Sequence, residues 1–261
     1  MASRRLWDEW TRRLVKGGLA WIEPTWPQPP GVVALTTTRT GGKSTFPYNS
    51  LNLGDHVGDS PEVVAQNRRC LHDAMVLPRE PLWLDQVHGT RVVRADSAEK
   101  RPRADGSCAH QPGSVCAVLT ADCLPVLLAS KDGTGVAALH AGWRGLAAGI
   151  LEKGVACMES PPDKLVAWLG PAIGPRAFEV GDDVRQAFFE SGSAAEGSFR
   201  PNDRGRWLAD LYALARGCLG AAGVTEVYGG DRCTYSEAET FFSYRRDGTC
   251  GRMVSLIWRC E

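Results

Sequence analysis

The sequence predicts a mixed α/β sandwich in a single domain, and three observations predict it. Short apolar and β-branched runs recur along the chain, among them Gly31–Thr38, Val115–Thr120, Pro125–Ala129, Val136–Leu139 and Met253–Trp258. Helical segments are interspersed with them but do not alternate strictly, which favours a mixed sandwich over a doubly wound parallel sheet. The chain has 261 residues, 43% of them hydrophobic, enough for one large globular domain with an ample core. We place that domain at residues 26–261, with residues 1–25 as an N-terminal extension.

Taken in order, residues 3–16 have Leu6, Trp7, Trp10 and Leu14 near one face, the spacing of an amphipathic helix on a loosely attached extension. Trp26-Pro-Gln-Pro-Pro30 is a stiff linker. The strand Gly31–Thr38 delivers Arg39 into a Thr-Gly-Gly turn and a long polar loop, Lys43–Asp59. Ser60-Pro61-Glu62 combines a cap, a first-turn proline and an acid at the positive end, so a helix runs from there to about Met75. Pro81–Val87 and Arg91–Ala95 read as short strands, and Arg101–Gly113 as polar and turn-rich. The apolar runs flanking Lys131–Gly135 read as a hairpin, followed by a helix over Trp143–Met158. Lys164–Leu169 is strand-like and ends in two Gly-Pro steps. Glu179–Glu190 is helical, Ser191–Arg206 a mobile loop, and Leu208–Ala222 a helix stopped by Gly223. Val224–Tyr228, Phe241–Tyr244 and Met253–Trp258 complete the strands.

Thirty basic residues balance thirty acidic ones, so no charge excess points to nucleic acid. No apolar run is long enough to span a membrane, and the N-terminus has no signal-peptide core. Nine cysteines without a Cys-x-x-Cys pair are expected to be mostly buried thiols in a reducing cytoplasm. There are only five histidines, which restricts any metal site.

Chemistry is concentrated at run ends. If the Lys131 turn closes a hairpin, Cys123 starts one strand and His140 ends the next, which places both at the same end of the sheet. His88, at the end of another run and followed by Gly89, is the third candidate. Two imidazoles and a thiolate form a three-ligand set for Zn²⁺ with a fourth position open to water or substrate. The metal would bring the pKa of that water toward neutrality. The same residues also fit a metal-free Cys–His dyad, or a buried core thiol beside structural histidines. His140-Ala-Gly-Trp-Arg144-Gly145 is a Gly-bearing strand-to-helix turn that presents backbone N–H groups to an anion. Its glycines also suit tight packing. Arg39, Arg144, Arg245 and Arg246 are candidate anion or hydroxyl binders. Asp122 and Glu179 are candidate proton carriers. Asp122 points away from Cys123 if the backbone is extended. Phe178, Phe241, Phe242 and Tyr244 suit either base stacking or the core.

Seven motifs carry a family resemblance: Thr38-Arg-Thr-Gly-Gly42, Ser50-Leu-Asn-Leu-Gly54, Asp85-Gln-Val-His-Gly89, Thr120-Ala-Asp-Cys-Leu-Pro125, His140-Ala-Gly-Trp-Arg-Gly145, Trp168-Leu-Gly-Pro-Ala-Ile-Gly174 and Phe242-Ser-Tyr-Arg-Arg246. Spread from about Trp26 to Trp258, they resemble the bacterial laccase-domain proteins, also called polyphenol oxidases, now regarded as purine nucleoside phosphorylases with adenosine deaminase activity. The resemblance implies a fold like that of toxin-type cysteine deamidases and a zinc site at His88, Cys123 and His140, with copper as a second metal. It implies phosphorolysis of adenosine, inosine and methylthioadenosine, and deamination of adenosine. It also brings two further activities reported for the family: phenol oxidation with copper, and amide hydrolysis in editing cell-wall precursors. A non-catalytic metal- or nucleotide-binding module is the remaining alternative. Against laccase chemistry, five histidines without a His-x-His pair cannot furnish a trinuclear copper cluster. The His-x-Glu and Pro-Cys-x-x-Cys signature of familiar zinc deaminases is also missing. The partners implied are purine nucleosides and phosphate.

Overall fold

Two β-sheets lie face to face, and helices cover the outer side of each. The computed structural model describes residues 12–14, 18–194 and 197–260. In chain order its strands are β1 (Arg12–Leu14), β2 (Ala20–Ile22), β3 (Val32–Thr37), β4 (Val92–Arg94), β5 (Gly106–Ala109), β6 (Cys116–Thr120), β7 (Leu124–Ser130), β8 (Val136–Ala141), β9 (Leu165–Leu169), β10 (Glu179–Val180), β11 (Phe199–Pro201), β12 (Trp207–Ala209), β13 (Glu226–Gly229) and β14 (Met253–Arg259). The helices are α1 (Pro61–Met75), α2 (Trp143–Ala147), α3 (Ile150–Cys157), α4 (Asp182–Glu190), α5 (Leu211–Ala221) and α6 (Tyr244–Asp247). One sheet has the order β1-β2-β3-β14-β6, the other β13-β9-β7-β8-β5-β4, and β10-β12-β11 form a small third sheet.

Residue alternation shows why the central strands are apolar throughout. In β7, Leu127 and Ala129 face the layer between the two large sheets, whereas Val126 and Leu128 face a core built with α3, α4 and α5. In β14, Met253 and Ile257 join the inter-sheet layer, while Val254, Leu256 and Trp258 pack with Leu51, Leu53 and Leu71 of the α1 side. Strands covered on both faces need no polar alternation. Leu127 and Leu128 are fully buried on opposite faces, and each such side chain contributes roughly 2–3 kcal/mol.

The hairpin expected around Lys131 is present: β7 and β8 pair antiparallel, with Pro125 opposite His140. Several other elements differ from expectation. Pro81–Val87 makes only isolated bridges, Leu82 to Cys116 and Asp85 to Arg103. The polar stretch Arg101–Gly113 contains a buried strand, β5. The helix expected over Trp143–Met158 is two helices, broken where Gly149 adopts φ 95°. Glu179–Val180 is a strand preceding α4, and the expected loop Ser191–Arg206 contains β11, paired with β12. Phe241–Tyr244 is not a strand, and Tyr244 opens α6. Most of the expected helix over residues 3–16 lies outside the described residues; Arg12–Leu14, which is described, is a strand paired with β2. Cys108 and Cys157 form a disulfide joining β5 to α3, a departure from the expectation of free thiols. Strand and helix pack there across 49 residues of sequence, a separation at which spacing carries no signal. Among the described residues no helix is long and apolar enough to cross a membrane.

The long loop after Arg39 is fastened to α1 by one side chain. Asn67 is fully buried; its amide donates to Ser44 Oγ and to the Asn52 carbonyl, and its Oδ1 accepts from the Lys43 backbone. Asn67→Ala would orphan several buried groups at once, so unfolding free energy should fall by roughly 2–4 kcal/mol in urea titrations. A loss under about 1 kcal/mol would mean the loop is held elsewhere.

Candidate functional site

Cys123 sits at a corner where the chain changes sheet. β6 belongs to the five-stranded sheet and β7 to the six-stranded one, so residues 121–123 must cross between layers. Asp122 makes the bend with φ 88°. Its carboxylate holds the bend in place: Oδ1 accepts from Thr234 Oγ1 and Oδ2 from the Arg245 backbone, both at 2.6 Å. The Ile173 backbone N–H donates to the Asp122 carbonyl. The expected divergence from Cys123 assumed an extended backbone, which φ 88° excludes.

His140 lies in β8, next to the start of β7, so the hairpin brings it to Cys123. His88 comes from the loop before β4 and stands in the left-handed region, φ 60°, which His tolerates better than most side chains. A buried carboxylate accounts for that conformation. Asp105, just before β5, accepts from the backbone N–H groups of Val87, His88 and Gly89 at 3.2, 2.8 and 2.7 Å. Three successive N–H groups around a left-handed residue form an anion-binding concavity. The same carboxylate takes His140 Nδ1 at 2.9 Å. Asp105 thus orients both imidazoles and leaves His140 Nε2 for the site. Sequence reasoning missed it, since a lone Asp before Gly in a polar stretch reads as a turn. The available signal was the apolar tetrad Gly106–Ala109 that follows.

The three predicted ligands meet. One ligand atom from each of His88, Cys123 and His140 lies within 4.8 Å of the others. Cys123 Sγ is 3.9 Å from His88 Nε2, and the two imidazole rings are edge-on with centroids 4.8 Å apart. Ligand atoms around a tetrahedral zinc are separated by about 3.5 Å, so this set is close to a binding geometry. The nitrogen and sulfur donors suit zinc or copper, and the carboxylate behind His140 is the usual support for a metal-bound imidazole. His88 is exposed, Cys123 half-buried and His140 buried, so the site opens to solvent on the His88 side.

Electrostatics favour an ion pair within the triad. Burial pushes the Cys123 thiol up, but the adjacent His140 and His88 outweigh it and bring it down to about 6. Burial pushes His140 down, but Cys123 and Asp105 outweigh that and carry it up to about 9. Burial raises the Asp105 carboxyl, yet His140 and the N–H groups of Gly89 and Val87 hold it below its usual range.

Gly142 leaves room for the site. A Cβ there would lie 3.0 Å from His88 Cδ2 and 3.2 Å from Cys123 Sγ. One at Gly145 would lie 2.8 Å from the Gly89 carbonyl. These glycines pack the turn against the triad. The helix they introduce, α2, is only five residues long.

The other candidates are distributed around this centre. Arg39 donates to the carbonyls of Asn49 and Ala238 and lies over Phe242. Arg144 is exposed and stacks on Trp143. Arg246 donates to the carbonyls of Thr234, Tyr235 and Phe241. Arg245, beside Asp122, donates to the Glu179 carbonyl and lies over Phe178. The Glu179 carboxylate accepts from Asn202 and pairs with Arg204. Phe178, Phe241 and Phe242 are buried, while Tyr244 is exposed.

Residues 33–260 match the family described as multi-copper polyphenol oxidoreductase laccase. The chain is 56% identical over 238 residues to purine nucleoside phosphorylase YfiH of Escherichia coli K12, covering 91% of this chain and 98% of the relative. It is 53% identical over 240 residues to purine nucleoside phosphorylase PA4543 of Pseudomonas aeruginosa, covering 92% and 98%. The crystal structure of Neisseria meningitidis protein NMB0706 superposes with a TM-score of 0.89 at 50% identity, covering 92% of this chain and 99% of that one.

Two outcomes test the geometry. In metal-free protein, alkylation followed on the Cys123 peptide should rise through a midpoint near pH 6, and His140→Ala should move that midpoint toward the ordinary thiol value of about 8.5. An unshifted midpoint would refute the ion pair. Gly142→Ala should weaken zinc binding about tenfold or more with little change in melting temperature, because Gly142 has an ordinary φ of −62°. Unaltered zinc affinity in calorimetry would show that the side chain is accommodated.

Proposed function

The chain belongs to the multi-copper polyphenol oxidoreductase laccase family, and from that membership we propose that it is a metal-dependent purine nucleoside phosphorylase. The single observation that carries the reading is the convergence of His88, Cys123 and His140 on one point, in a chain more than half identical to relatives named as purine nucleoside phosphorylases. We assign catalysis to one domain over residues 26–261, acting in the cytoplasm, with adenosine, inosine and methylthioadenosine as substrates. Deamination of adenosine is the second activity.

Phosphorolysis joins a phosphate oxygen to C1′ of the ribose and breaks the bond from C1′ to the purine nitrogen, whose electron pair leaves with the base. The sugar gains positive character while the base gains negative charge, so catalysis depends on placing phosphate in line and meeting that charge. His88, Cys123 and His140 would hold Zn²⁺, or Cu²⁺ on the same donors, supplying Lewis acidity and a water of lowered pKa. The protein supplies orientation. Asp105 fixes both imidazoles, and Gly142 keeps the space beside the thiolate free. Tyr244, the one exposed aromatic of the predicted stacking set, offers a face to a purine. Among the four arginines predicted to take an anion, Arg245 is our choice, because its backbone is bound to Asp122 beside the thiol. Arg245 donates to one backbone carbonyl, whereas Arg39 donates to two and Arg246 to three, and Arg144 stacks outward on Trp143.

One observation favours a second reading. Cys123, His140 and Asp105 also form a thiolate–imidazolium–carboxylate series, the arrangement of a cysteine hydrolase acting on an amide.

Purified protein should convert inosine to hypoxanthine and ribose 1-phosphate only when phosphate is present. It should convert adenosine to inosine. Chelation or Cys123→Ala should abolish both reactions, as read by chromatography of the products. A chelator-treated enzyme that keeps full activity, or a Cys123→Ala variant that does, would overturn the assignment. Phosphate-independent, chelator-resistant amide hydrolysis would establish the second reading instead.

A further inference from the structure

Three arginines from three separate segments line a cavity of about 460 Å³. Arg176 comes from the turn after β9, where the Ala177 and Phe178 N–H groups both return to the Gly174 carbonyl. Arg204 comes from the loop between β11 and β12, and Arg245 from α6. Glu179 sits between two of them. Its backbone carbonyl holds Arg245 at 2.8 Å, and its carboxylate lies 3.7 Å from Arg204 while accepting from Asn202. Arg176 has no hydrogen-bond or ion-pair partner among the described residues.

We propose that this basin holds the phosphate co-substrate, and in the reverse direction the phosphoryl group of ribose 1-phosphate. The inference rests on the phosphorylase reading and adds Arg176 and Arg204 to its residues. Charge favours it, since three guanidinium groups outnumber the two lining carboxylates, Glu179 and Asp203. Geometry favours it as well. The guanidinium fork matches phosphate oxygens two at a time, and Asn202 and Tyr235 add neutral polar groups to the wall. Position favours it because the Arg245 backbone is bound to Asp122 at 2.6 Å. Asp122 precedes Cys123 in the chain, so the segment that carries Arg245 is tied to the residue beside the thiolate.

The test is inorganic phosphate, used in two assays on the metal-loaded protein and its Arg176→Ala/Arg204→Ala double variant. Calorimetric titration of phosphate without nucleoside should show binding to the parent protein, weakened about tenfold or more in the variant. Phosphorolysis at saturating inosine should show KM for phosphate raised by at least tenfold, with KM for inosine within twofold of the parent value. Unaltered phosphate affinity and KM in a variant that still phosphorolyses inosine would overturn the basin and leave the phosphorylase reading intact. Loss of phosphate binding in the variant, with no phosphorolysis by the parent protein, would retain the anion site and sink the phosphorylase reading. Both side chains are exposed, so the fold should survive; if the double variant precipitates, the two single variants are compared in the same assays.

Discussion

One buried carboxylate organises the site. Asp105 is fully buried and receives four N–H groups: three from the backbone of residues 87–89 and one from the His140 ring. A buried carboxylate without partners would be severely destabilising, so the donors must come to it. That requirement bends the 87–89 loop into its left-handed turn and aims His88 at the thiol. It also fixes the rotation of the His140 ring. Because Asp105 is held below the usual carboxylate range, its contribution to stability is present above its unfolded pKa. It is lost only as pH falls through the depressed folded value. The loop before β4, the start of β5 and the end of β8 are therefore joined by one group whose ionisation persists throughout the neutral range.

The second constraint is the crossing at Asp122. A strand from one sheet must become a strand of the other within three residues, and Cys123 occupies the far side of that step. Asp122 satisfies both oxygens on Thr234 and Arg245, so the corner is also tied to α6 and the segment before it. The cysteine is consequently placed by backbone geometry rather than by its own contacts. The same tie brings Arg245 to the edge of the site.

Much of this was legible in the sequence because it was local. The hairpin between β7 and β8 follows from two apolar runs and a Gly-bearing turn, and it alone predicts that Cys123 and His140 share an end of the sheet. The cap at Ser60 was equally readable, and its side chain does accept from Val63. What escaped was non-local. Asp105 acts on His140, 35 positions away, and nothing in Arg-Ala-Asp-Gly announces a buried acceptor. The disulfide between Cys108 and Cys157 depends on α3 lying against β5. Phe241 and Phe242 are apolar enough for a strand, yet they fill the inter-sheet layer as a loop. Burial can be read from composition, whereas the partner that covers a residue cannot.

The family's copper and oxidase description meets a limit in the donor set. Among the described residues only one cluster of three ligands exists, and five histidines in the whole chain cannot supply a trinuclear centre besides. Within that one cluster, the ion pair prepares Cys123 for two uses that exclude each other. A thiolate at neutral pH is already in the form a metal requires, so the proton released on binding comes from the His140 imidazolium rather than from the thiol. It is equally in the form a nucleophile requires. His140 decides between them. Its Nδ1 is held by Asp105, so only Nε2 is available, and that atom has one lone pair. Donated to a metal, it cannot also serve as the base of a Cys–His dyad. Metal-dependent catalysis and amide hydrolysis by a Cys–His dyad therefore cannot run on the same molecule at the same time, and occupancy of the His140 Nε2 position determines which one this fold can perform.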